Sequence, residues 1–150
     1  MITAIAIGGF LIIVGIVFGL MLAPTNAVEN FFSDLTGVSY PVINGEMVLP
    51  APAHPATHAL VYQAVLSFMV GIAVLQVVIL AARLYVQSPT RRIAETIGNL
   101  IFWSGGAVVA YLFLMSGTLS GWFTFWPSLI ILCGTSLIAQ AIVYFAKRRK

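Results

Sequence analysis

Long, nearly uninterrupted runs of apolar residues recur four times along the chain, over residues 2–22, 59–82, 93–115 and 125–146. A helix rises about 1.5 Å per residue, so about 20 residues cross a hydrocarbon core about 30 Å thick. Within the runs the only Asp, Glu, Lys or Arg is Glu95, at the start of the third. The pattern predicts an all-α integral membrane protein with four transmembrane helices in one domain, with the spans at residues 2–22, 58–86, 89–116 and 122–146.

The connecting segment between the first two spans, residues 23–57, has the pattern of a folded, water-facing loop. Asn26 followed three residues later by Glu29 resembles a capping box, which marks a helix start. Gly37 is a typical helix stop. We therefore predict a short amphipathic helix over residues 27–35, whose apolar face consists of Val28, Phe31, Phe32 and Leu35.

A β-hairpin is predicted directly after this helix. Asn44-Gly45 stands between two apolar pairs, and this dipeptide favours the tight turns that need positive φ. Prolines at positions 50, 52 and 55 then predict a stiff, extended lead into the second span.

Composition supports a membrane location. The chain has 150 residues, of which 61% are hydrophobic and 7% charged, and its mean hydropathy is +1.06. A soluble domain carries roughly a quarter charged residues. We therefore expect lipid to surround most of the chain.

The basic residues predict the orientation, because cytoplasmic loops are enriched in Lys and Arg. The net charge is only +3, and all seven basic residues lie in two clusters beside apolar runs, which disfavours nucleic-acid binding. The expected topology places both termini in the cytoplasm and residues 23–57 outside, in a multi-pass protein of the cell membrane. The topology anchors are Arg83, Arg91, Arg92, Lys147, Arg148, Arg149 and Lys150.

The loop between the second and third spans is short. Ser88 is a good helix cap and Pro89 a good first helical residue. Arg91 and Glu95 are four residues apart and are expected to pair on one helix face.

Two histidines, His54 and His58, form the motif H-P-A-T-H at the start of the second span. A spacing of four residues places two imidazoles on one face of a helix, where both can bind the same metal ion. Zinc or copper is the candidate cofactor. Two ligands make half a site, which Glu29, Asp34 or Glu46 would have to complete. The alternative is a pair of histidines at the headgroup level with no metal.

Uncharged polar residues inside the spans include Gln76, Asn99 and Gln140. Apart from Glu95 at the cytoplasmic start of the third run, the runs contain no charge of the kind that marks ion paths and proton relays, and this argues against a self-contained ion-coupled transporter. The three amides either line a substrate path or form hydrogen bonds between helices.

Small residues at packing spacing predict contacts between helices. Gly15-x-x-x-Gly19 in the first span is a pattern that lets helix backbones approach closely, within the chain or to a partner. We assign Gly15 and Gly19 to a partner interface.

The chain has no pattern typical of an enzyme, such as a nucleophile–base pair, a phosphate-binding loop or a carboxylate dyad. The hypothesis is a non-catalytic subunit of a larger membrane protein complex, with an assembly, stabilising or shielding role. Its partners would be the bilayer and other membrane subunits, or further copies of itself. The alternatives are a small oligomeric transporter or channel and an outer-face metal-binding protein that uses His54 and His58.

Overall fold

The computed structural model describes residues 1–42 and 45–148 of the chain, and the side chains of residues 1–39 and 48–146. Four helices in this part are long and apolar enough to cross a membrane, as the sequence predicts: Ile2–Leu22, Pro55–Tyr85, Thr90–Leu114 and Leu119–Ala146. A two-stranded sheet and a short helix lie between the first and second of them.

The first span consists of helix α1 (Ile2–Val14), continued by a π-helix (Gly15–Leu22). The wider turn is visible where the Ala23 amide donates to the Phe18 carbonyl, five residues back. This span packs mainly on the second span, where small residues permit close approach. Gly9 faces Leu75, and Gly71 faces Ile13. A Cβ added at Gly71 would lie 3.0 Å from the nearest methyl group of Ile13.

The second and third spans form an antiparallel hairpin. A 3-10 turn (Pro55–His58) leads into helix α3 (Ala59–Tyr85), and helix α4 (Thr90–Val109) continues as a second π-helix (Ala110–Leu114). The connection contains Gln87 at φ 51°, an unfavourable conformation for a residue with a side chain. The predicted helix start is wrong by one position, because Pro89 is the N-cap and α4 begins at Thr90.

Helix α5 (Leu119–Arg148) forms the fourth span, and its first residue precedes the predicted start at residue 122. It packs along α4, where Gly98 and Gly105 admit the side chains of Gln140 and Leu132. The main core lies between α3, the third span and α5, and its buried members are Tyr62, Met69, Ala107, Ala110, Leu114 and Phe125.

The connecting segment folds as helix α2 (Ala27–Ser33), strand β1 (Leu35–Val42) and strand β2 (Gly45–Pro52), and the two strands are antiparallel. The predicted side-chain cap is wrong, because Asn26 makes no capping hydrogen bond and Thr25 Oγ1 accepts from the Ala27 amide instead. The predicted stop at Gly37 is also wrong. Asp34 caps the helix and Gly37 lies within β1.

The hairpin itself agrees with the sequence-based expectation, but its register differs by one residue. Val42 pairs with Gly45, so the connection consists of residues 43 and 44, which lie outside the described residues. Pro50 and Pro52, expected in an extended lead, belong to strand β2. A two-stranded sheet accommodates proline because each strand has one edge without a ladder partner.

Candidate functional site

A cluster of polar side chains joins the connecting segment to the start of the second span. Asp34 Oδ1 lies 2.8 Å from His54 Nδ1, and Asp34 Oδ2 lies 2.8 Å from His58 Nε2. The His54 backbone amide also donates to Oδ2 at 2.8 Å, and the Ala53 amide donates to the Asp34 carbonyl oxygen at 3.0 Å. Asp34 therefore holds the end of β2 and the beginning of the second span with both its side chain and its backbone.

The secondary structure of the connecting segment brings the side chains of Asp34, His54 and His58 together. Asp34 follows the last residue of α2, and the pairing of Leu35 with Pro52 returns the chain beside it. His54 precedes the 3-10 turn and His58 ends it, so the two rings reach the carboxylate from opposite ends of that turn.

Burial separates the two histidines sharply. The His54 side chain is 75% exposed and the Asp34 side chain 18%, whereas the His58 side chain is only 6% exposed. Water competes for the His54 contact but hardly reaches the His58 contact. The hydrogen bond to His58 is therefore the stronger link between the connecting segment and the span.

Aromatic rings surround the buried side of the cluster. Phe31 of α2 lies edge-on to His58 with a centroid distance of 5.2 Å, and it also contacts Tyr62 and Trp122 at 6.4 and 5.8 Å. Trp122 Nε1 donates to the Pro50 carbonyl oxygen at 3.1 Å, which ties β2 to the start of α5. The connecting segment is thus fixed to both the second and the fourth spans.

Hydrogen bonding holds the pKa of Asp34 well below its usual range. The largest cause is the His54 side chain, followed by the His58 side chain and the His54 amide, and partial burial opposes them. A carboxylate that accepts several such bonds is stabilised in its charged form. Asp34 is therefore ionised over the whole physiological range.

The carboxylate of Asp34 lies beside the two histidines, as the metal hypothesis requires, but the described side chains form no metal-binding cluster. Within the part of the chain that the structure describes, no three His, Cys, Asp or Glu side chains are arranged to hold a metal ion. Each Asp34 oxygen already accepts from one imidazole, and Glu29 makes no ion pair with either histidine. The side chain of Glu46, the remaining candidate, lies outside the described residues. The geometry is that of a hydrogen-bonded link between segments.

The predicted interface glycines both lie on the surface of the first span. A Cβ added at Gly15 or Gly19 would meet no atom within 4 Å, whereas one at Gly9 would collide with Leu75. Gly15 and Gly19 therefore have no packing role toward the described side chains of this chain. Both belong to the π-helix, a geometry that often occurs at functional positions.

The three amides predicted to lie within the membrane, Gln76, Asn99 and Gln140, are not grouped in the groove that Gln140 lines. Gln140 lines a groove between α4 and α5 with Arg91, Glu95 and Tyr144, but neither Gln76 nor Asn99 belongs to it. Asn99 is exposed on the bundle surface. The convergence that a substrate path would require is thus not observed among these residues.

Helix α4 contains the expected ion pair, since Arg91 Nε lies 3.0 Å from Glu95 Oε1. Arg83 takes a different role that sequence reasoning missed, because its guanidinium donates to the Thr96 hydroxyl and the Arg92 carbonyl oxygen. No spacing rule links residues 83 and 96, which meet through the turn of the hairpin. The side chains of Lys147 and Arg148, and residues Arg149 and Lys150, lie outside the described part.

No protein-family model matches this chain, and neither a curated protein nor a solved structure is detectably similar to it.

Proposed function

We propose that this chain is a non-catalytic subunit of a membrane protein complex, inserted with both termini in the cytoplasm and residues 23–57 on the outer side. The observation that carries the proposal is the open glycine face of the first span. Gly15 and Gly19 are exposed about one turn apart, and nothing in the described chain occupies the space before them.

Glycine is an expensive choice for a helix surface that faces only lipid. Each glycine destabilises a helix by about 1 kcal/mol relative to alanine, and large aliphatic residues face acyl chains equally well. Most of the remaining surface follows that rule, with Leu11, Ile12 and Leu20 all exposed, although a Cβ added at Gly8 would also meet no atom within 4 Å. In lipid, paired small residues serve close packing of helix backbones. A second polypeptide is therefore the occupant that this face suits best.

The ordered connecting segment adds to the proposal. Links through Asp34 and Trp122 hold its helix and hairpin against two spans, so the segment presents a fixed surface beside the membrane. A fixed surface of this kind suits docking of a neighbouring subunit, because little ordering entropy is lost when the partner binds.

The test compares glycine substitutions on two exposed faces. Gly15→Ile with Gly19→Ile should reduce the size of the assembly extracted from native membranes in mild detergent, while helical content stays unchanged. Gly134→Ile on α5 is the matched control, because its added side chain also meets no atom within 4 Å. An unchanged assembly in the double variant, or equal loss in the control, would contradict the proposal.

The orientation is tested separately by cysteine labelling. In a Cys133→Ser background, Gly117→Cys should react with a membrane-impermeant reagent added to sealed cells. Gln87→Cys, at the opposite end of the third span, should react only after lysis. Labelling of position 87 in intact cells would contradict the proposed topology.

A further inference from the structure

A pocket of about 280 Å³ lies at the end of the bundle where the first span begins and α3 turns into α4. Three spans meet there, so in the proposed membrane placement the pocket lies at the headgroup level. Residues of the first span form one side of it, and the end of α3, the connection to α4 and the start of α4 form the other. The lining residues are Ile2, Thr3, Ala6, Arg83, Ser88 and Arg92.

Arg83 is held in a fixed orientation beside this pocket. Its Nη1 donates to the Thr96 hydroxyl and to the Arg92 carbonyl oxygen, and Thr96 is only 1% exposed. The Thr96 hydroxyl is fixed in turn, since it donates to the Arg92 carbonyl oxygen at 2.8 Å. The other guanidinium nitrogens of Arg83, Nε and Nη2, have no partner among the described residues. A guanidinium held by one edge presents its remaining donors for planar recognition of an oxyanion.

The charge of this pocket is not compensated. No Asp or Glu lines it, and the first turn of α4 contains no acidic residue. Arg91, by contrast, is paired with Glu95 and lies outside the pocket. Arg83 is half-buried, and a cation in such a position normally has a counter-ion. Within the described part of the chain, neither Arg83 nor Arg92 forms an ion pair with a carboxylate.

We propose that this pocket binds the phosphate of an anionic phospholipid headgroup, through the guanidinium groups of Arg83 and Arg92 and the hydroxyl of Ser88. Basic pockets between spans on the cytoplasmic side suit such headgroups, and arginine matches phosphate geometry with paired donors. The apolar side, formed by Ile2 and Ala6, fits the start of the acyl chains. This inference rests on the proposed membrane insertion but not on the role as a subunit.

The test uses the full chain, stripped of lipid in detergent and titrated with phosphatidylglycerol or phosphatidylcholine while bound lipid is counted by native mass spectrometry. Phosphatidylglycerol should bind more tightly. Arg92→Gln should weaken its binding roughly fivefold, the effect of one cation facing an anionic lipid. Arg83→Gln should weaken it further. Arg91→Gln is the matched control and should leave binding unchanged, because Arg91 neutralises Glu95 instead.

Three results would overturn the inference. They are equal binding of the two lipids, equal weakening by Arg91→Gln and Arg92→Gln, and binding of inorganic phosphate as tight as that of phosphatidylglycerol. Arg92 is exposed, so Arg92→Gln keeps the test valid if Arg83→Gln disturbs folding. The Gly15→Ile, Gly19→Ile variant should still bind the lipid, which separates this site from the proposed partner face.

Discussion

Removing the imidazole of His58 should release the connecting segment from the second span. His58→Ala deletes the hydrogen bond to Asp34 at 2.8 Å and the edge-on contact with Phe31. A hydrogen bond to a charged acceptor contributes about 1.5–3 kcal/mol, and an aromatic pair about 0.5–1.5 kcal/mol. Together they give about 2–4.5 kcal/mol, which raises the local opening equilibrium by roughly 30-fold to 2,000-fold.

His54→Ala is the matched control for this prediction. His54 donates to the same carboxylate at the same distance of 2.8 Å, but its side chain is 75% exposed. Water replaces much of that contact, so the loss should stay within about 1 kcal/mol.

Hydrogen exchange of peptides from residues 27–35, measured by mass spectrometry in detergent, reports the opening. Exchange should accelerate strongly in His58→Ala and only slightly in His54→Ala. Equal acceleration in the two variants would refute the argument that burial determines the strength of the link.

Three further predictions test other parts of the fold. The pKa of Asp34 is depressed in the folded state, so the stability that its carboxylate contributes is fully present above the ordinary pKa of 3.8 and is lost as the pH falls below that value. Trp122 fluorescence, measured with the other tryptophans replaced, should therefore change below that pH in the otherwise wild-type chain but not in Asp34→Asn. Gly117→Ala should lower the free energy of unfolding by about 1–2 kcal/mol because φ is 61°, whereas Gln87→Gly at φ 51° should raise it, as measured by thermal unfolding in detergent. Tyr62→Phe should raise stability by about 1 kcal/mol, since the buried hydroxyl has no partner among the described residues, and a loss of stability would contradict this.

The four spans were predictable because hydropathy and length alone determine them. The ion pair of Arg91 with Glu95 was predictable for a similar reason, since a spacing of four on a helix brings side chains together whatever surrounds them. The short helix and the hairpin also follow from local patterns in the connecting segment. Their boundaries shifted by one or more residues, because strand pairing extended β1 back through Gly37 and overrode the local stop signal.

The candidate sites depended on contacts between distant residues, which the sequence does not encode locally. Asp34 was one of three acidic candidates beside the histidines, and only the pairing of β1 with β2 brings its carboxylate to them. The contact of Arg83 with Thr96 depends on the tight turn between α3 and α4. The open space at Gly15 and Gly19 likewise follows from which face of the first span packs on α3.

Photo-crosslinking in native membranes tests the central claim, that the glycine face of the first span contacts another polypeptide. A photoreactive residue is placed at Ile12, about two turns before Gly19 and 64% exposed, and in a control at Ile130, on α5 and 74% exposed. The proposal predicts one discrete protein adduct from position 12, none from position 130, and loss of the adduct when Gly15 and Gly19 are replaced with Ile. Adducts with lipid alone at both positions, or a protein adduct that persists in the glycine variant, would contradict it.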